Sequence, residues 1–396
     1  MTPLKVVLVG AGGFGRRWLT AITASPEVEL VGIADLNETT AREAARIATA
    51  SEPAAREAAR EAATRGGADE AEAAAGGNNA REESGGGGRA ELPVGTDAVE
   101  LARRTGAQAV INVTVPAAHH SVTAAALLAG LPVLGEKPLA ENVSQALSLA
   151  ATAELTGQLF MVSQSRRRNP QLAKLRTMTD ALGRIGSVTT TFARSEHFGG
   201  FRDVMAQPLL VDMAIHPFDA ARYLLRAEPV SVHCQSYNPS WSWFAGDANA
   251  IAVFEMAGGA RYVYNGTWCS PGATTSWNGE WRVSGEHGTA LWDGDHDPAP
   301  DLKTDDTYAD VEASLHAFVE ALRTGVTPSG EVHENLMSLA MVEAAVRSAE
   351  TGDQVRLDDV LDQALDRAVE QESHPGVREV LADWPKPVRD RLSRTS

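Results

Sequence analysis

The chain opens with an apolar run, a glycine turn and a helical pattern. Residues 4–9 read Leu-Lys-Val-Val-Leu-Val, which predicts a buried strand, and Gly10-Ala11-Gly12-Gly13-Phe14-Gly15 follows at once. Residues 16–22 then have the pattern of a helix start. A G-x-G-x-x-G segment between a strand and a helix is the context in which this pattern indicates a dinucleotide-binding turn.

Each glycine of this turn has its own role. Gly10 allows the tight turn, Gly12 lets the backbone approach a pyrophosphate, and Gly15 allows close packing of the helix on the strand. The helix start offers unpaired N–H groups and a positive dipole end to the phosphates. We therefore expect cofactor contacts from the loop as a whole, including Gly13 and Phe14. The alternative is a glycine turn that binds nothing.

A carboxylate at the end of the next predicted strand adds support for a dinucleotide site. Residues 29–34 form a second apolar run, and Asp35 follows it. An acid roughly 20 residues beyond the glycines accepts hydrogen bonds from the adenosine ribose hydroxyls. It would repel a 2′-phosphate, and no arginine directly follows Asp35. The sequence thus favours NAD over NADP.

The α/β alternation continues after an interruption. Residues 48–91 contain no Val, Leu, Ile, Met or aromatic residue, which predicts a solvent-exposed, disordered insertion. Beyond it we predict helices at 97–104, 119–129 and 143–156, and strands at 109–113, 132–134 and 159–162. The strand at 159–162 is expected to add to the first sheet.

From residue 186 the hydrophobic period changes from 3.6 to 2. Strands are predicted at 187–193, 230–237, 250–256, 261–267, 280–284 and 289–292, with glycine-bearing turns between several of them. One broad antiparallel sheet would accommodate them, and its open face would suit a homo-oligomer interface. Helices at 311–324 and 331–350 follow, and the charged residues from 358 onward suggest a loosely packed helical extension.

Composition narrows the possible partners. The 396 residues carry a formal net charge of −17, which argues against a nucleic-acid or anionic-membrane surface. No apolar run approaches a membrane span, and the N-terminus lacks a signal-peptide layout, so we expect a cytoplasmic protein. Cys234 and Cys269 give neither a disulfide framework nor a zinc spacing, and no metal site is predicted.

A lysine follows the predicted strand at 132–134. The segment is Gly135-Glu136-Lys137-Pro138, which places Lys137 at the carboxyl edge of a parallel sheet, where ligands bind in such folds. Pro138 fixes the local backbone, either in the trans or in the cis form. Taken alone, the segment is better explained by an ordinary loop lysine.

An acid and a histidine stand four residues apart in a later segment. On a helix this spacing would place Asp212 and His216 on one face, one turn apart. Histidine can take up a proton near neutral pH, and a nearby carboxylate can raise its pKa, orient its ring or hold a substrate hydroxyl. A purely structural His–Asp pair is the alternative.

Taken in order, these segments resemble the Gfo/Idh/MocA family of oxidoreductases. The resemblance rests on Gly10-x-Gly12-x-x-Gly15, Asp35, Glu136-Lys137-Pro138 and Asp212-x-x-x-His216-x-x-Asp219. It implies an α/β protein with a Rossmann domain at 1–138 and a second α/β domain at 139–357 that has a large, mostly antiparallel sheet, followed by an extension at 358–396.

The resemblance also implies roles for individual residues. Catalysis would fall to Lys137, Asp212 and His216. Further cofactor contacts would come from Thr114, His119, Glu136 and Lys137. One departure is Thr114-Val115-Pro116, where the family has Thr-Pro directly.

Substrate contacts are expected from three further positions. The family places an arginine near the cleft where this chain has residues 166–168, and Arg168 or Arg167 is the expected one. His197 lies on a glycine-rich loop, and the face of Trp268 would suit the apolar face of a sugar ring. Tryptophans also fill sheet cores.

The expected function is hydride transfer between nicotinamide and a secondary alcohol of a sugar, inositol or related polyol. Two alternatives remain open at this stage. One is an NAD-dependent glycoside hydrolase that works through transient oxidation, and the other is a non-catalytic sugar sensor. A sensor does not need Lys137, Asp212 and His216, so the presence of all three argues against that alternative.

Overall fold

A computed structural model describes residues 2–50, 91–299 and 310–392. The chain divides into two compact units, Met1–Val113 and Thr114–Ser396. Most of the predicted insertion, residues 51–90, lies outside the described residues. Its predicted start at residue 48 is wrong, because residues 48–50 continue a helix and Ala48 is buried.

The first unit carries a parallel sheet in the strand order β3-β2-β1-β4. Its strands are β1 Leu4–Val9, β2 Val28–Ala34, β3 Val94–Gly95 and β4 Ala109–Asn112, and its helices are α1 Gly13–Ala24, α2 over 38–50 and α3 Ala98–Thr105. Both β1 and β4 are mostly apolar, as expected for strands that are covered on both faces. The predicted strand, glycine turn and helix are confirmed.

Side-chain caps fix where the helices of this unit begin. The Asn37 side chain accepts hydrogen bonds from the backbone N–H of Thr39 and Thr40 at the start of α2. Asp97 accepts from the N–H of Glu100 at 2.9 Å and begins α3 in the same way. These caps satisfy donors that have no partner within the helix.

The second unit begins with helices around a parallel pair of strands. These elements are α4 Pro116–Leu128, β5 Val133–Glu136, α5 Val143–Thr156, β6 Phe160–Ser163 and α6 Pro170–Ala181. Strand β6 pairs in parallel with β5, as expected for the strand predicted at 159–162. The predicted domain boundary at 138 differs from the division at Val113, because α4 packs on α5 and α5 packs on later helices of the second unit.

A seven-stranded sheet dominates the second unit. Its order is β12-β11-β7-β10-β9-β8-β13, and only the β10–β7 pair is parallel. The strands are β7 Ile185–Ala193, β8 Pro229–Tyr237, β9 Asn249–Met256, β10 Arg261–Thr267, β11 Glu280–Gly285, β12 Gly288–Trp292 and β13 Val355–Arg356. The predicted antiparallel character is therefore confirmed.

Alternation along these strands separates a covered face from an open one. Tyr262 and Tyr264 of β10 are fully buried and meet Phe218 edge-on, whereas Arg261 and Asn265 are exposed. Phe218 belongs to α7, Ile215–Leu225, which thereby packs against the covered face. The oligomer interface expected on the open face stays a prediction.

The C-terminal part of the chain is more tightly packed than expected. Its helices are α8 Asp310–Thr324, α9 Val332–Thr351, α10 Leu357–Gln371, α11 Pro375–Ala382 and α12 Arg389–Leu392. The interpretation of residues 358–396 as a loose extension is wrong for the described part, since Leu361, Leu381 and Trp384 are buried and α10 and α11 pack on α5. Among the described residues, no helix combines the length and apolarity that crossing a membrane requires.

Candidate functional site

The glycine loop of the first unit has the geometry that a pyrophosphate needs. Gly10 has a φ of 94°, a left-handed conformation that favours glycine. A Cβ on Gly15 would lie 2.3 Å from the Gly10 carbonyl oxygen, so only glycine lets α1 approach β1 this closely. A Cβ on Gly12 or Gly13 would meet no described atom within 4 Å, so among these residues the outer face of the loop is open to a ligand.

The start of α1 has no side-chain cap from the part of the chain that the structure describes. Gly12 is the N-cap, and the first turn of the helix has no acidic residue. The N–H groups there are consequently available to an anion. Phe14, in this first turn, is 48% exposed. These features fit the phosphates of a dinucleotide.

Asp35 has a second role that the sequence pattern did not reveal. Its Oδ2 accepts from the Ala11 N–H at 2.8 Å, and its Oδ1 accepts from the Asn37 N–H at 2.8 Å. The carboxylate thus ties the glycine loop to the end of β2. Because each carboxylate oxygen has two acceptor positions, ribose hydroxyls can still bind Asp35.

In the second unit, β5 ends in the Glu136-Lys137-Pro138 segment, and His119 holds it in place. The His119 ring lies 2.6 Å from the Pro138 carbonyl oxygen through Nδ1 and 2.9 Å from the Thr114 carbonyl oxygen through Nε2. Burial lowers the pKa of His119, although both carbonyl contacts oppose this shift. His119 is therefore placed to position the segment, and Pro138 follows a cis peptide bond.

Lys137 lies directly on Asp212. Its Nζ donates to the Asp212 carbonyl oxygen at 2.8 Å and to Oδ1 at 3.2 Å. An ammonium has three donors, so one remains for a ligand oxygen. The backbone N–H of Lys137 also donates to the Glu136 carboxylate at 3.0 Å, which closes the turn.

Asp212 is ionised and held between two cations. Arg202 donates from Nε to Asp212 Oδ2 at 2.6 Å, opposite Lys137. Burial opposes ionisation, but Lys137 and Arg202 outweigh it and keep the pKa of Asp212 below its usual range. Arg202 lies in a short 3-10 helix, Gly200–Val204, and is a site residue that the sequence motifs do not indicate.

His216 is buried and uncharged at neutral pH. Burial lowers its pKa well below 6.5, and the nearby positive charges of Arg166 and Lys137 lower it further. Its Nδ1 is buried without a hydrogen-bond partner within the described part of the chain. A neutral imidazole beside a lysine suits a group that accepts a proton from a ligand.

The expected one-helix arrangement of Asp212 and His216 is wrong in detail. A π-helical turn, Leu209–Met213, carries Asp212, and α7 begins only at Ile215. The carboxylate makes its ion pairs with Lys137 and Arg202, and the pKa of His216 is lowered rather than raised. A π-turn changes the angular spacing of side chains, which the 3.6-residue period cannot anticipate.

The three consecutive arginines have three different surroundings. Arg167 is buried and pairs with Asp219 and Glu334, and Arg168 donates to the Ser329 carbonyl oxygen at 2.8 Å. Arg166 is the one whose charge acts on His216. Arg167 and Arg168 are thus held by other groups of the protein, and the expected substrate contact from one of them stays a prediction.

The two ring side chains expected to contact a substrate, His197 and Trp268, lie in different surroundings. His197 is exposed and stacks on Trp243, with ring centroids 3.7 Å apart. Trp268 is 2% exposed and packs against Phe198 and Phe244, so it presents no open face to a sugar. Phe198 is 43% exposed and covers it. The expectation for Trp268 as a direct sugar contact is wrong.

Two family models match this chain. The NAD-binding Rossmann domain of the Gfo/Idh/MocA oxidoreductases matches residues 4–164, and the C-terminal domain of the same family matches residues 172–291.

Within the described residues, no group of three or more His, Cys, Asp or Glu side chains could hold a metal ion.

Individual dehydrogenases are also similar to this chain, at low sequence identity. The inositol 2-dehydrogenase of Rhizobium meliloti is 28% identical over 280 residues, covering 64% of this chain and 81% of that protein. The scyllo-inositol 2-dehydrogenase (NAD(+)) of Bacillus subtilis is 28% identical over 288 residues, covering 66% of this chain and 81% of that protein. A Lactobacillus casei myo-inositol dehydrogenase, solved with NAD(H) and myo-inositol, shares the fold at a TM-score of 0.69 and 17% identity, covering 90% and 97%.

Proposed function

Because the chain belongs to the Gfo/Idh/MocA family and is an NAD-dependent oxidoreductase, we propose that it oxidises a secondary alcohol of a sugar, an inositol or a related polyol. The observation that carries the proposal is the group formed by Lys137, Asp212 and a neutral, buried His216. NAD supplies the hydride acceptor, and the chain supplies proton transfer and orientation.

In this proposal His216 takes the hydroxyl proton of the substrate. A base with a lowered pKa is unprotonated at neutral pH, so it is ready without a prior proton loss. The alcohol carbon gives up its hydrogen as hydride, the oxygen loses its proton to the imidazole, and a ketone results. Electrons and protons therefore balance without a metal.

Lys137 acts on the same substrate oxygen. Two of its N–H donors hold Asp212, and the third can donate to the oxygen on which negative charge develops. Asp212 keeps the ammonium in place, and Arg202 in turn holds the Asp212 carboxylate by donating to its Oδ2. Such a fixed donor stabilises the transition state without rearranging.

Polyol chemistry is supported by the surroundings of this group and by the relatives. Phe198 and Phe201 are 43% and 51% exposed and lie beside Arg202, which offers apolar ring faces next to hydrogen-bond donors. The curated relatives named above are inositol dehydrogenases. We propose the same substrate class here and leave the individual sugar or inositol to a screen.

The test combines a substrate screen with two variants. Inositols, aldoses and sugar acids are incubated with NAD, and NADH is followed by its near-ultraviolet absorbance. On the best substrate, His216→Ala should lower kcat by roughly 100-fold or more, and Lys137→Met by about 100- to 1,000-fold. Both variants should still bind NAD, because the glycine loop is untouched.

A matched control and the opposing outcomes complete the design. His233→Asn changes an exposed histidine on β8 and should keep the wild-type rate. If His216→Ala or Lys137→Met also keeps that rate, the assigned roles are wrong. If an aryl glycoside is cleaved without added NAD and no polyol yields NADH, the protein is a hydrolase and the proposal fails.

A further inference from the structure

The second unit contains a cavity lined by arginines that the proposed reaction does not use. Its volume is about 490 Å3. Six of its lining side chains are basic, namely Arg167, Arg176, Arg222, Arg226, Arg389 and His333. The acidic lining residues are Glu228 and Glu334. Lys137, Asp212 and His216 do not line it.

Most of these arginines already have carboxylate partners. Arg167 pairs with Asp219 and Glu334, and Arg222 pairs with Glu228. Both guanidinium groups are nearly fully buried, so these pairs build the wall of the cavity and fix its shape. They explain why so many like charges can lie together.

Arg176 differs from its neighbours. Its guanidinium lies over the Tyr223 ring, 4.1 Å from the centroid. Its Nε is buried and has no hydrogen-bond acceptor within the described part of the chain. A buried cationic donor without an acceptor costs free energy, which an anionic ligand in the cavity would recover.

We propose that this cavity binds the phosphate group of a small organic phosphate, with Arg176 as its principal ligand. The planar guanidinium fork of Arg176 matches phosphate oxygens. Arg226 and Arg389 also line the cavity, where each is paired with one carboxylate, Asp180 and Asp358 respectively. The volume exceeds that of a bare ion and falls in the range of small-molecule sites, roughly 300–1,000 Å3. Met337 and Leu392 offer apolar surface to the organic part.

Free inorganic phosphate could bind the same arginine, so the experiment tests both inorganic phosphate and an organic phosphate. Wild-type protein, saturated with NAD to occupy the glycine loop, is titrated calorimetrically in a buffer free of phosphate and sulfate. The probes are glucose 6-phosphate, inorganic phosphate and glucose. We expect one glucose 6-phosphate per chain and no binding of glucose at that site. If glucose 6-phosphate binds more tightly than inorganic phosphate, the result supports an organic phosphate as the ligand. If the two bind equally, the ligand is the free anion, and the proposal of an organic phosphate is overturned.

Variants locate the binding. Arg176→Ala should weaken glucose 6-phosphate binding by about 10-fold or more, the effect of losing a charge-assisted hydrogen bond. Arg184→Ala removes one charge from an exposed arginine outside the cavity and should leave binding unchanged. Should Arg176→Ala fail to fold, Arg226→Asn serves instead, because asparagine tolerates the left-handed backbone at that position, φ 47°.

Two results would overturn the site. One is the absence of heat with both phosphate probes. The other is equal affinity in wild type, Arg176→Ala and Arg226→Asn, which would place the binding elsewhere on the protein. Neither result bears on NAD-dependent turnover, so this proposal and the proposed function can fail independently.

Discussion

His333 on α9 is held between two carboxylates, and its replacement should change how stability depends on pH. The ring contacts Glu154 of α5 through Nε2 and Glu331 through Nδ1, each at 2.9 Å. Glu154 in turn accepts from Arg391 of α12. Burial lowers the pKa of His333, but the hydrogen bonds to Glu154 and Glu331 outweigh it and raise the pKa to about 9.

The magnitude follows from the difference between the folded and unfolded pKa. An ordinary histidine titrates near 6.5, and a rise to about 9 corresponds to about 3 kcal/mol of stability. Because the folded pKa is the higher one, this contribution is fully present below pH 6.5. It declines as the pH rises from 6.5 to about 9 and is lost above that. The side chain is 6% exposed, so solvent screens the pair little.

Urea unfolding at about pH 6 and about pH 9.5 measures this contribution. Between these conditions the wild type should lose about 3 kcal/mol more of its free energy of unfolding than His333→Gln does. At the lower pH the variant should already be less stable, because Glu154 loses a charged partner. His287→Gln, which alters an exposed histidine, should follow the wild type.

The reasoning about this clamp is refuted if His333→Gln and wild type show the same change in unfolding free energy between the two pH values. In that case the pKa of His333 is the same in the folded and the unfolded protein. An equal loss in His287→Gln and His333→Gln would likewise contradict it.

Two further predictions concern the cofactor loop and the proposed base. Gly15→Val places a Cβ where the Gly10 carbonyl oxygen lies 2.3 Å away, so NAD binding, measured by calorimetry, should be lost, and retained wild-type affinity would contradict the loop geometry. Because the pKa of His216 is lowered well below 6.5, kcat/KM should fall only when the pH drops below that value, and a decline that begins near pH 8 would exclude His216 as the base.

The candidate site was partly predictable from local patterns. Gly10, Gly12 and Gly15 could be assigned separate tasks because each depends on backbone sterics within a few residues. Lys137 could be placed at a strand end for the same reason. The partners of these residues could not be predicted. Arg202 meets Asp212 from a 3-10 helix, and a second 3-10 helix carries Arg166, whose charge lowers the pKa of His216.

The sequence alone determined the elements and their classes, since hydrophobic period, glycine placement and capping residues act over short distances. It predicted the parallel and antiparallel sheets, the dinucleotide loop and the segments of the candidate site. Only the tertiary structure decided which charges meet. The pair of Lys137 and Asp212, the buried pairing of Arg167 with Asp219 and the contact of His333 with Glu154 all join segments far apart in the chain. Such contacts depend on packing between elements, which a local pattern does not encode.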